Sequence, residues 1–332
     1  MDGMISIALI LMAVATLAVA LVNGFGIFAN WRLLHYLTNV MVNHHAQQMS
    51  SFLTPQSLSD QVLDNLVGSI TTTPSRMMSA VTAIESVLLQ SVRPHKICLY
   101  ISETISPDEI PAALRRLEPY GVEVRPVEDV GPHTKLLYAL RDFPEHHIFT
   151  FDDDIYYPTN AVETLLNTSA KVPHAIVANW VRKLRFSLTG KVRMSRKGKL
   201  MTPRSQLWQI ERPPSTIHIG CDLFAYGTSG VLYPPHCMDE RVFDIDLFRK
   251  LCPNEDDVWF KAMSLLKGTP VATSGLGLNP EHYCILGSQA VALRHTNYGR
   301  GRIGGASATQ IEAVFEHFDL YARLAELKRR QQ

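Results

Sequence analysis

The most reactive-looking residues in this chain are Asp152, Asp153 and Asp154, which follow directly on the apolar run Ile148-Phe149-Thr150-Phe151. Four residues this apolar read as a strand buried on both faces. The acids then fall at its carboxyl end, where open α/β sheets hold their ligands. Two unit charges about 4 Å apart repel by roughly 4 kcal/mol at an effective dielectric near 20, so three adjacent acids require cations, exposure or a raised pKa. A divalent metal meets that requirement. Hard oxygen ligands spaced Asp-x-Asp suit Mg²⁺ or Mn²⁺, which can bridge to the phosphates of a substrate. The competing account is an acidic approach to the next helix, where Asn160 and Glu163 have the spacing of a capping box.

A second acidic group, Glu255-Asp256-Asp257, opens a helix that continues through Val258-Trp259-Phe260 to Leu266. Acids in a first helical turn favour the helix dipole. In a chain that already carries a metal-site candidate they also fill two needed roles, one carboxylate on the metal and another placed to accept a proton. Thr72, Thr73, Pro74 and Arg76 form a turn whose hydroxyls, backbone N–H groups and guanidinium suit a base, a ribose or a phosphate, and which would serve equally as an ordinary N-cap. Lys135 either balances the charge of a metal-bound diphosphate or is a plain surface lysine. His282 and His295 lie in polar loops, each a further metal ligand or a hydrogen-bonded structural histidine.

Positioning these groups requires an alternating α/β body, and short apolar runs do alternate with helical stretches from Leu66 onward. Leu66-Val67-Gly68-Ser69-Ile70 reads as the first strand. A helix with Ala80, Ile84, Val87 and Leu88 on one face follows it, then a second strand at Ile97-Cys98-Leu99-Tyr100-Ile101. A proline-initiated helix carrying Leu114 and Leu117 ends at Gly121, Val122-Glu123-Val124 is the third strand, and Gly131-Pro132 opens a short helix through Leu140. The acidic strand is fourth. Beyond it, Ala175 to Trp180 is another strand. No Asp or Glu lies between Glu163 and Glu211, and the basic stretch 182–204 folds back at Thr189-Gly190 as a hairpin that meets anionic lipid, an acidic acceptor, donor phosphates or only solvent. The glycine-punctuated segment from Cys221 to Pro235 suits a backbone passing close beneath a ligand.

The chain has 332 residues, 46% of them hydrophobic, and a formal net charge of +1, which excludes a disordered chain and gives no global reason to expect nucleic acid. Five widely spaced cysteines contain no Cys-x-x-Cys pair and read as reduced thiols, in keeping with a cytoplasmic catalytic domain. Residues 4–22 are uncharged and long enough to cross a hydrocarbon core of about 30 Å as a helix, with Arg32 and His35 on the C-terminal side. The implied layout is a membrane anchor over 1–30, a juxtamembrane connector over 31–65, a catalytic body over 66–305 and an amphipathic C-terminal helix over 306–332. The location is the inner membrane, single-pass, with the body on the cytoplasmic side.

Thr72-Thr73-Pro74-Ser75-Arg76, Gly131-Pro132 followed by Lys135, Asp152-Asp153-Asp154, Gly230-Val231-Leu232-Tyr233-Pro234-Pro235 and Glu255-Asp256-Asp257-Val258-Trp259-Phe260, in that order, resemble the bacterial GT-A type glycosyltransferases, specifically the family 2-like enzymes of surface-polysaccharide clusters. The resemblance spans about Val67 to Asn297. It implies a GT-A fold, a mostly parallel central sheet flanked by helices. It also implies a nucleotide-sugar donor, a glycan or glycolipid acceptor, and Mn²⁺ or Mg²⁺ on Asp154; Asp152 and, from its place in the polar loops rather than from the resemblance, His295 are the further candidate ligands, and the chain departs from the family in having no clear C-terminal ligand. Asp152 or Asp153 would lie near the nucleoside, Thr72 to Arg76 would line its pocket, and Asp257, with Asp256 beside it, would be the general base of an inverting transfer. Two other classes share parts of the pattern. In haloacid-dehalogenase-like phosphohydrolases Asp152 would be phosphorylated, and a non-catalytic membrane protein could bind a nucleotide sugar without turning it over.

Overall fold

The computed structural model describes residues 53–186, 192–194, 217–276 and 306–330, with single positions and short stretches between 36 and 48 and between 278 and 288. Strands β1 (Val62–Thr71), β2 (Arg93–Ser102), β3 (Val122–Val127) and β4 (His147–Thr150) lie parallel in the order β3-β2-β1-β4. Helices Met77–Leu88, Ala112–Arg115 and Thr134–Asp142 connect them. Helix Ala161–Ser169 then leads to β5 (Ile176–Ala178), the antiparallel hairpin β6 (Val181–Phe186) and β7 (Val192–Met194), β8 (Ile219–Gly220), β9 (Leu223–Ala225) and β10 (Val231–Tyr233). Helices Ile245–Leu251 and Asp256–Lys267 precede β11 (Val271–Thr273), and helices Ala306–His317 and Leu320–Arg330 follow.

The pleat sorts side chains into two cores because successive residues of a strand point to opposite faces. Along β2, Cys98 and Tyr100 enter one core while Ile97, Leu99 and Ile101 enter the other; β1 and β4 divide likewise, with Val67 and Ile148 set against Leu66, Ile70 and Phe149. Both faces of β4 are therefore covered, as its unbroken apolar run requires. Helix Met77–Leu88 buries Ala80, Ile84, Val87 and Leu88 against the second core. Helix Asp256–Lys267 and the C-terminal helices cover the first, through Trp259, Val314, Phe315 and Leu324.

The eight-stranded sheet is mostly parallel, as expected: only β10, between β4 and β5, and β8, beside β11, run against the other six strands. Three expectations need correction. Asn160 precedes helix Ala161–Ser169 without a side-chain cap, because Glu163 instead accepts the Ser91 hydroxyl at 2.7 Å. The proline-initiated helix is a four-residue turn of α-helix followed by the 3-10 turn Glu118–Tyr120. The C-terminal helix is two helices, broken where Asp319 takes a φ of 48°. β6 and β7 pair antiparallel, and β6 also pairs with β9, while the expected turn at Thr189-Gly190 and the rest of the basic stretch, 195–204, lie outside the described residues. No helix among the described residues is long and apolar enough to cross a membrane, and residues 1–30 of the expected anchor lie outside them.

Lys261, on the inner face of helix Asp256–Lys267, is 4% exposed, and its Nζ has no hydrogen-bond partner among the described residues. Burial pushes its pKa down to about 8, against the opposing pull of Cys221 and Asp222. The unfolded chain keeps this proton up to about 10.5, so native stability rises with pH between 8 and 10.5 as the folded lysine gives it up first. Lys261→Met is expected to stabilise the protein by about 3 kcal/mol at pH 7, the free-energy equivalent of that displacement, and to abolish the rise. Urea unfolding at pH 7 and pH 10 measures both, and equal stability of the two proteins at pH 7 would contradict it.

Candidate active site

The acid-bearing turn leaves the carboxyl end of β4, the strand at the middle of the sheet, next to the carboxyl end of β1, which runs into Thr72 and the 3-10 turn Pro74–Arg76. Adjacent parallel strands ending together bring two loops face to face, and their side chains meet. Arg76 reaches across with one guanidinium nitrogen 2.5 Å from Asp153 Oδ1 and 2.9 Å from Asp154 Oδ2. The Thr72 hydroxyl donates to Asp153 Oδ2 at 2.6 Å. Thr73 and Pro74 are exposed.

Asp152 points the other way. Lys135, one residue into helix Thr134–Asp142, donates from Nζ to Asp152 Oδ1 at 2.9 Å, and the same Nζ lies 3.1 Å from Asp256 Oδ2 as an ion pair without hydrogen-bond geometry. Lys135 therefore joins the two acidic clusters. Its own pKa stands well above the ordinary lysine value: burial works against the charge, but Asp152, Asp256 and Asp257 together outweigh it. Helix Asp256–Lys267 places Asp256 and Asp257 in its first turn, where the exposed N–H groups favour carboxylates.

Asp257 is fixed by the backbone of Gly227, whose N–H is shared between its two carboxylate oxygens at 3.1 and 3.2 Å. A Cβ at Gly227 would stand 2.6 Å from Lys135 Nζ and 3.0 Å from Asp257 Oδ1, so only glycine lets this loop approach both. Gly230, at φ 91°, packs so closely on the ring of Phe149 that a Cβ would sit 2.8 Å from it. The glycine-rich segment does pass close beneath something, and that is the site's own side chains.

Tyr157 contributes without having been singled out. Its buried hydroxyl accepts from the Asp152 N–H at 2.9 Å and donates to the Thr228 carbonyl at 3.0 Å, tying the acid turn to the glycine loop. On the other side, the Ile285 N–H donates to the Asp154 carbonyl and the Tyr156 N–H to the Tyr283 carbonyl, both at 2.8 Å. The acid turn is thus held by its backbone on two sides while its carboxylates meet Arg76, Thr72 and Lys135.

Among the described residues, Arg76 pairs with Asp153 and Asp154, and Lys135 pairs with Asp152 and Asp256. Burial lifts Asp153 to about 7, with Asp154 and Asp152 adding to the rise and Arg76 and Thr72 opposing it. Burial, then Asp256, drives the Asp257 carboxyl well above the ordinary carboxylate range, with Lys135 opposing and Asp152 adding. Asp257 nevertheless keeps part of its surface open to solvent.

Among the described residues no three His, Cys, Asp or Glu side chains converge on one point as a closed cation cage, and His282 and His295 lie outside those residues. The donor set suits a different arrangement. Mg²⁺-type cations are commonly held by one or two carboxylates and otherwise by water and substrate phosphates. Asp154 and Asp152 offer the carboxylate oxygens that a cation arriving with a diphosphate takes.

No protein-family model matches the sequence, and no curated protein matches it. Among solved structures, a crystal structure of GalNAc-T7 with UDP, GalNAc and Mn²⁺ is similar over 64% of this chain at 9% sequence identity and a TM-score of 0.39, and the chain spans 42% of that one.

Proposed function

We propose that this protein is a metal-dependent glycosyltransferase that moves a sugar from a nucleotide-sugar donor to a hydroxyl of a glycan or glycolipid, anchored in a membrane by its N-terminal apolar run with the acid site on the cytoplasmic side. The observation that carries this reading is the Lys135 bridge, 2.9 Å to Asp152 and 3.1 Å to Asp256, which sets a diphosphate-facing acid tip against a proton-accepting carboxylate. Mn²⁺ or Mg²⁺ bound on Asp154, with Asp152, would neutralise the diphosphate that departs. Arg76 and Lys135 place positive charge on either side of that acid tip, where negative charge would develop on the departing diphosphate as the sugar takes on oxocarbenium character. Asp257, oriented by the Gly227 N–H, accepts the proton of the acceptor hydroxyl, and its raised proton affinity makes it a stronger base than an exposed carboxylate. A base opposite the leaving group corresponds to inversion at the anomeric carbon.

The test is calorimetric titration of UDP, GDP and dTDP into the purified full chain with and without Mn²⁺, together with Asp154→Ala. Binding of at least one nucleotide should tighten with Mn²⁺, and Asp154→Ala should weaken it tenfold or more, about 1.4 kcal/mol. Equal affinity in all cases would refute the metal assignment. Release of inorganic phosphate in place of nucleoside diphosphate from the matching sugar nucleotide would refute the transferase.

A further inference from the structure

The helical stretch 39–44 is amphipathic in the reverse of the usual sense. Its body-facing side is polar: Asn39 and Asn43, one turn apart, both donate from Nδ2 to the Cys284 carbonyl, at 2.8 and 2.9 Å, and Asn43 is buried. Val42, beside them, packs against the second core. The opposite side carries Met41, 72% exposed, with Leu37, 47% exposed, one turn earlier and in line with it. An apolar pair at i and i+4 turned outward while asparagines turn inward is the pattern of a segment whose outer surroundings are not water.

Two features identify those surroundings. The sequence just before this stretch, from Gly3 to Trp31, contains no charged residue and is long enough to span a bilayer, and Arg32 stands between it and Tyr36. The stretch also rests on the strap that holds the acid turn: Cys284 bridges to Ile155, and the Ile285 N–H donates to the Asp154 carbonyl at 2.8 Å. We infer that the Leu37–Met41 face seats in the interfacial layer of a lipid bilayer and thereby fixes the Asp154 side of the acid site at the membrane surface, where the acceptor is one carried on a lipid. The acceptor class rests on the proposed transferase; the seating of the face does not.

Site-directed fluorescence separates the two. In a Cys284→Ser background, where the four remaining cysteines are buried, Met41→Cys carries an environment-sensitive NBD label. The full chain is reconstituted into phosphatidylcholine–phosphatidylglycerol vesicles with or without a lipid spin-labelled near its headgroup. Phe243→Cys, on the opposite side of the sheet beside Trp259, serves as the control. The label at 41 should shift to the blue on reconstitution and lose at least half its emission to the spin-labelled lipid, while the label at 243 does neither. Water-like, unquenched emission at 41 would overturn the inference. So would a blue shift that ignores the spin label and grows with protein concentration, because the face would then meet a second copy of the chain. Quenching at 41 in a protein that releases no nucleoside diphosphate would leave the membrane seat standing and remove the transferase.

Discussion

Asp257→Asn is expected to lower sugar transfer by about 10²- to 10⁴-fold, the usual range for loss of a general base, while nucleoside diphosphate affinity stays within about twofold. The isosteric amide keeps a carbonyl oxygen for the Gly227 N–H that Asp257 accepts at 3.1 Å, so the loop and helix start hold their places. What disappears is the ability to take a proton. The carboxyl's pKa lies well above the ordinary range, chiefly through burial and then through Asp256. A base works only when ionised, so the rate should climb with pH up to that folded-state pKa and then level off, and the Asn variant should lose the climb. Because the neighbouring Asp256 raises that pKa, Asp256→Asn should move the limb to lower pH without erasing it. Initial rates of nucleoside diphosphate release across pH 5 to 9 measure all of this. A wild-type rate in Asp257→Asn would exclude it as the base.

The parts of this arrangement that can be read along the chain are those written into neighbouring residues. An apolar run ending in three aspartates announces a covered strand with an acidic tip, and β4 is covered on both faces. Acids opening an apolar helix at Asp256 are equally plain. What connects them is not local. Lys135 meets residues 17 and more than 100 positions away, and nothing in the spacing of a lone lysine distinguishes this from a surface position. The same blindness explains the misread cap, since Glu163 is drawn off by Ser91, 72 residues earlier. It explains the sheet as well: Val231-Leu232-Tyr233 is as apolar as a parallel strand, and only its pairing with β4 reveals that it runs the other way. The break between the last two helices falls at Asp319, a residue that carries neither the freedom of glycine nor the constraint of proline. Tyr157 could have been suspected, as a phenol three residues past the last of the acids, but its partners could not.

Lys135→Met should be the most destabilising single change in the site. Nζ is the only cation within ion-pair distance of Asp152 and Asp256 among the described contacts, and its side chain is 10% exposed, so water cannot replace it. Removing one partner of a buried pair leaves the other charge uncompensated and typically costs about 3–5 kcal/mol, against roughly 0.5 kcal/mol for a solvated surface lysine. The pH dependence gives the cause. Without the ammonium, Asp257 loses the charge that opposes the rise of its pKa by burial and by Asp256, so it keeps its proton more tightly than in the unfolded chain and ionises at a growing cost as pH rises. The deficit relative to wild type should therefore widen from pH 5 to pH 8 in urea unfolding. Adding Asp256→Asn should recover a measurable share, since one of the repelling charges is gone. Lys135→Arg should not, because the space beside Nζ is so tight that even a methyl group on Gly227 would stand 2.6 Å away, leaving no room for a guanidinium. A deficit that is small and the same at both pH values would mean that the two acidic clusters do not share this cation, and the single site would come apart into two unrelated surface features.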